Sequence, residues 1–182
     1  FYILMLGVLA PAFIITGIFF HSMHLLEIKN WRIEAYAYSM PLFSLSLIVS
    51  VLFSGWAVDR WSAVKLLPLY LIPLAIGVTI LSLGSGLSTI YYFMFFAGMT
   101  TGLSTAITGA LWAELYGIKY LGSIKSMVMA YIVASTAIAP GLMGFLIDIG
   151  IGIESQIFVF SIYIYIITTL FLIVKKKDKR LQ

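Results

Sequence analysis

The feature that most constrains this chain is the distance between its charges. Uncharged stretches run Phe1–Phe20, Ala35–Val58, Leu66–Trp112, Ser126–Ile147 and Ser155–Val174, with lengths of 20, 24, 47, 22 and 20 residues. A helix needs about 20 apolar residues to cross the hydrocarbon layer of a bilayer. The 47-residue stretch is too long for one crossing, and Gly84-Ser85-Gly86 near its centre is a turn signal that divides it. Six crossings follow, at about 1–24, 35–58, 64–83, 87–112, 124–147 and 155–174. The predicted fold is all-α: one six-helix transmembrane domain with a basic tail, 175–182.

Composition excludes the soluble classes. Hydrophobic residues make up 62% of the chain and charged residues 10%, against about 25% charged in a soluble domain. Too few charges are present to coat a water-facing surface, so lipid is the expected solvent. A membrane β-barrel would show alternating segments of about ten residues. The last crossing does alternate at Phe158–Phe160 and Tyr163–Tyr165, but its length and the other five crossings favour helices. Cysteine is absent, which excludes disulfides and thiolate metal sites. The chain opens on Phe1 with no basic segment or small-residue cleavage site, so a signal peptide is not expected. The opening reads as a cut from a longer chain.

Lys and Arg set the orientation. Nine lie on the side that holds both termini: Arg60, Lys65, Lys119, Lys125 and five in the tail. Lys29 and Arg32 are the two on the other side. The C-terminal end is therefore expected in the cytoplasm, with the protein in the plasma or inner membrane. The basic tail is suited to anionic headgroups, and no signature of nucleic-acid binding accompanies it.

Helices in lipid associate through small residues. The fourth crossing carries Gly98 and Gly102. The fifth carries Ala130, Ala134, Ala137, Gly141 and Gly144 at three- and four-residue spacing. These two helices are expected to be the most closely packed. The third and sixth, built of large aliphatic and aromatic residues, are candidates to face lipid. All five prolines (Pro11, Pro41, Pro68, Pro73 and Pro140) fall within crossings, where they bend helices for packing. Thr101, Thr105 and Thr108 share one face of the fourth crossing. They either bond back to helix carbonyls or line a wet cavity. No Asp, Glu, Lys or Arg lies deep in any crossing.

The loop after the second crossing reads Gly55-Trp56-Ala57-Val58-Asp59-Arg60-Trp61. It resembles the G-x-x-x-D-R-x signature of the major facilitator superfamily, which recurs at this loop in each six-helix half. The usual Gly-Arg-Arg continuation is replaced here by Ser62-Ala63-Val64-Lys65. Thr16–His24 at the end of the first crossing fits the same family. So do Ala113-Glu114-Leu115-Tyr116-Gly117 and Leu121-Gly122-Ser123, which look like the loop before the eleventh helix. The resemblance covers all 182 residues as the C-terminal half of a twelve-helix carrier. It implies that the first and fourth crossings line a substrate cavity, the second and fifth face a missing N-terminal half, and the third and sixth face lipid.

On this resemblance the cavity residues are Thr16, Phe20, His21, Thr101, Thr105 and Thr108. The loop acts as a conformational latch of Gly55, Asp59, Arg60 and Glu114. Gly55 allows close helix contact, Asp59 accepts from amides at a neighbouring helix N-terminus, and Arg60 pairs with a carboxylate, with Glu114 as its candidate. His21 and His24 with Glu27 give too few ligands for a metal, so no metal or cofactor is expected. A role for His21 in proton coupling is open. The expected activity is secondary transport of a small organic solute, with or without a coupled proton or ion. Rival readings are a half-size homodimeric carrier, a membrane scaffold, or a membrane enzyme. No catalytic constellation supports the last. The three-plus-three repeat of such carriers is faint here: Gly17 and Gly109 recur, without alignment around them.

Overall fold

In the computed structural model, residues 1–177 are described, with side chains to Ile173. The tail expected over 175–182 lies beyond the described side chains, and 178–182 lie outside the described residues. Eight helices and no strand occur among the described residues. They are α1 (Tyr2–Phe20), α2 (Ser22–Ile28), α3 (Ile33–Trp61), α4 (Ala63–Leu66), α5 (Ile72–Leu83), α6 (Ser88–Tyr116), α7 (Leu121–Asp148) and α8 (Ile153–Lys177). Five of them, α1, α3, α6, α7 and α8, are long and apolar enough to cross a membrane.

The third crossing differs from its expectation of one helix over 64–83. α5 has 12 residues, about 18 Å at 1.5 Å per residue, too short for a ~30 Å layer. The cause is the pair Pro68 and Pro73. Each lacks an N–H and clashes with the preceding turn. The chain between them tightens, with Leu69 N bonded to Leu66 O at 2.9 Å and Ile72 N to Leu69 O at 3.2 Å. α4, this tight turn and α5 together traverse the bundle.

The helices pair in a pattern with internal symmetry. α1 packs on α7 and α8, α6 packs on α3 and α5, and α5 packs on α8. Exchanging the first three crossings with the last three maps α1–α7 onto α6–α3 and α5–α6 onto α8–α1. This is the pairing expected of an inverted repeat. The core gathers around α5, where Leu71, Leu74, Ala75, Val78 and Leu81 are each fully buried. Its outer face shows Ile72, Ile76 and Leu83.

Pro11 illustrates how the core absorbs a helix defect. Its missing N–H leaves the Gly7 carbonyl without its usual partner. Tyr70, buried at 1% exposure, donates its hydroxyl to Gly7 O at 2.8 Å. Tyr163 donates to the adjacent Leu6 O at 3.0 Å. Gly7 also lets the Phe171 ring lie against the helix where a Cβ would stand.

α7 departs from expectation. α6 packs chiefly on α3 and α5 and touches α7 only slightly. Ala130, Ala134, Ala137 and Gly141 are exposed, and a Cβ at Gly141 would meet nothing within 4 Å. The stripe from Ala130 to Gly141 thus faces away from the other crossings, while Gly144 lies beside the His21 ring, and α7 is the least buried of the long helices.

At the end away from the basic loops, Lys29 binds three segments together. Its side chain is 5% exposed, and its ammonium meets Glu154 Oε1 at 2.6 Å. It also donates to Gly84 O at 2.7 Å, a carbonyl at the C-terminus of α5 where a cation suits the helix dipole. Its third side lies over the Trp31 ring, 5.2 Å from the centroid, and Trp31 donates Nε1–H to Ser85 O at 3.0 Å.

Candidate substrate cavity and loop latch

α1 and α6 lean together over an open cavity of about 260 Å³. Its walls are Val8, Pro11, Ala12, Ile15 and Thr16 of α1, Phe43 of α3, Thr101, Ser104 and Thr108 of α6, and Ile132 of α7. The structure therefore brings Thr16, Thr101 and Thr108 to one concavity. Thr105 is exposed and outside this lining. Phe20 is 70% exposed at the end of α1. His21 is also elsewhere: its Nε2 lies 2.9 Å from Pro140 O. A carbonyl only accepts, so Nε2 carries the proton. The ring lies beside Gly144, where a Cβ would meet it at an ordinary 3.5 Å.

Four α6 hydroxyls bond back into their own helix, whereas the buried Thr100 hydroxyl has no partner among the described residues. Thr101 donates to Ala97 O at 2.8 Å, Ser104 to Thr101 O at 2.8 Å, Thr105 to Thr101 O at 3.1 Å and Thr108 to Ser104 O at 2.6 Å. Thr101 and Thr108 take the back-bonding alternative, and the same two side chains stand on the wall of the concavity. Sequence reasoning missed Ser104, which stands three residues after Thr101 on the same face. It also missed Phe43 and Ile132, since no periodicity tells which helix will lend a side chain to another's cavity.

The loop latch is built differently from its expected pairing. Glu114 does not take Arg60 as its partner. Its carboxylate accepts from Ser62 Oγ at 2.9 Å, Ala63 N at 2.8 Å and Val64 N at 3.2 Å. It caps the free amides that open α4. The role expected of Asp59, accepting amides at a neighbouring helix start, is thus held by Glu114. Asp59 and Arg60 are exposed on the last turn of α3. Gly55 makes no close helix contact here, since a Cβ there would meet nothing within 4 Å.

Ser62 explains why Glu114 sits where it does. Its φ of 75° lies in the region that favours glycine, at a cost of about 1 kcal/mol or more for other residues. This is the position where the family signature continues with Gly. Here the charged hydrogen bond from the Ser62 hydroxyl to Glu114 offsets the strain.

The chain is 25% identical over 151 residues to "Multidrug resistance protein 2" of Bacillus subtilis (strain 168). The match covers 82% of this chain and 38% of that relative, so the chain spans little more than a third of the relative's length. The Major Facilitator Superfamily profile matches residues 2–182. With helices fit to cross a membrane, paired as an inverted repeat around a hydroxyl-walled cavity, this chain belongs to the Major Facilitator Superfamily.

Proposed function

We propose that these residues are the C-terminal six-helix half of a secondary transporter, moving a small organic solute by rocking against an N-terminal half around a midplane cavity. The observation that carries this is the cavity between α1 and α6, open on one side and walled by Thr16, Thr101, Ser104 and Thr108. An open half-cavity is what one of two facing halves contributes. The exposed faces of α3 and α7 support the same assembly, because they flank that opening and lack a partner within the six helices. The relative's name speaks of multidrug resistance, which favours varied organic solutes over one nutrient. On this reading Asp59 and Arg60 meet the other half at the cytoplasmic face, and the C-terminal tail lies on that side.

Cysteine labelling tests the proposal, since these residues contain no native Cys. Thr16→Cys, Ser104→Cys and Thr108→Cys, each in the full-length protein, should react with a membrane-impermeant maleimide from one side at a time. A transported solute should slow the reaction. Labelling from neither side, or labelling indifferent to every solute that the protein moves, would overturn the cavity assignment. Solute movement by proteoliposomes of the full-length protein is the companion readout.

A further inference from the structure

The cavity's hydroxyls have already committed their protons. A hydroxyl bonded to a carbonyl must be the donor, because the carbonyl has no proton to give. Thr101, Ser104 and Thr108 each donate to an α6 carbonyl, at 2.8, 2.8 and 2.6 Å. Toward the cavity they offer oxygen lone pairs alone. Thr16, on the facing wall of α1, has no hydrogen-bond partner among the described residues and keeps a free proton. The remaining lining is carbon, including the Phe43 ring, and no lining residue carries a charge.

We infer that this wall selects lipophilic solutes bearing hydrogen-bond donors, such as alcohols and amines, over ethers and carboxylates of the same shape. The inference rests on the transport reading above and names its substrate class. A donor entering the cavity finds three acceptors whose geometry is fixed by the helix backbone, so little ordering is needed on binding. A donor-free ether displaces water from those oxygens and returns nothing. A carboxylate fares worse. It needs several donors in exchange for its hydration, and this wall supplies Thr16 alone.

Four probes on one naphthalene body separate the cases: 2-naphthylmethanol, 2-naphthylmethylamine, the methyl ether of the alcohol, and 2-naphthoate. Binding to the purified full-length carrier and uptake by proteoliposomes are measured for each. The alcohol and the amine should bind at least about tenfold tighter than the ether and the naphthoate, the factor expected when a buried acceptor is satisfied rather than stranded. In the Thr101→Val/Thr108→Val variant, where each hydroxyl becomes a methyl of like shape, the alcohol-to-ether ratio should fall below about threefold. Single variants at either position, checked by thermal unfolding, carry the test if the pair does not fold.

Ether or naphthoate binding as tightly as the alcohol would overturn the inference, as would a ratio unchanged in the variants. Ala12→Trp, which fills the cavity, separates this failure from a failure of the transport reading. If the ranking fails but Ala12→Trp still abolishes binding and uptake, the donor preference falls and the cavity stands. If no probe binds the folded carrier, or Ala12→Trp changes nothing, the cavity assignment falls and the inference with it.

Discussion

The seams α3–α6 and α1–α7 are equivalent under the internal symmetry of the bundle, yet they are built on opposite principles. In α3–α6, backbone meets backbone. A Cβ at Gly98 would strike Ser46 Oγ and the Phe43 carbonyl, and one at Gly102 would strike the Leu47 carbonyl, with Ser50 Cβ at 2.7 Å and Val51 N at 2.9 Å. α3 answers these glycines with small residues, since Ser46, Ser50 and Ser54 are all buried. Ser54 also donates across the seam to Gly102 O at 3.3 Å. In α1–α7, side chain meets backbone. Gly17 receives the Met143 thioether, with Ala139 Cβ at 3.6 Å from where a Cβ would stand, and His21 reaches Pro140. The first seam is rigid because carbonyls cannot step aside. The second can adjust, because Met is the most pliable of core side chains.

The difference predicts unequal responses to the same small change. Gly102→Ala should destabilise most, by about 3 kcal/mol, near the upper end for overpacking a tight site. Its added methyl can be housed only by pushing α3 away along the whole seam. Thermal unfolding of the purified protein in detergent, followed by tryptophan fluorescence, measures it. A shift no larger than that of an exposed Ala substitution would show that α3 and α6 have slack, and the contrast between the seams would be lost.

Gly17→Ala should cost less, about 1 kcal/mol, because the Met143 side chain can rotate out of the way. The decisive comparison is the double variant. Met143→Val shortens the intruding chain and should recover most of the loss of Gly17→Ala, a coupling that contacting residues show. No single side-chain trimming on α3 should rescue Gly102→Ala, since its obstacles include the Leu47 carbonyl and the Val51 amide. Rescue there would break the distinction between backbone and side-chain seams.

Ser54→Ala sharpens the comparison at a smaller scale. It deletes the hydrogen bond across α3–α6 and leaves the glycine packing untouched. Such bonds between membrane helices are worth about 0.6 kcal/mol on average, and Ser54 also donates to its own helix at Val51 O, 2.8 Å away. A loss of that size, well below the Gly102→Ala loss, would assign the rigidity of the seam to contact rather than to hydrogen bonding. A larger one would reverse that order.

What the sequence disclosed and what it hid divide along the same line. Long uncharged runs and the Gly84-Ser85-Gly86 break point to a helical membrane bundle, because lipid leaves a chain almost no other option. The Gly98/Gly102 pair and the α7 stripe are both legible as small-residue faces. Which face meets which helix is not legible, because a small residue states that something comes close and not what. Gly98 thus met α3 rather than α7. Glu114 was legible as a latch residue, but its pairing with Ser62 was hidden for a related reason: the capping follows from a strained turn, and strain is a property of the folded backbone. The repeat is likewise carried by pairing rather than by residues. Gly17 is in tight contact with Met143, whereas a Cβ at Gly109 would meet nothing within 4 Å.

The one substitution expected to cost no stability is the most informative about assembly. Gly141 is exposed on α7, and a Cβ there meets nothing. Gly141→Ala in the six-helix unit should therefore be neutral or stabilising by up to about 1 kcal/mol, the gain from replacing glycine within a helix. If the stripe of α7 packs against the other half, as proposed, the same methyl should slow transport by the full-length protein without lowering its unfolding temperature. Gly141→Leu should slow it further, in proportion to side-chain size. A stripe that merely faces lipid would accept both substitutions with transport intact. Then α7, like the outer face of α5, would be bilayer-facing, and the second half would have to seat on α3 alone.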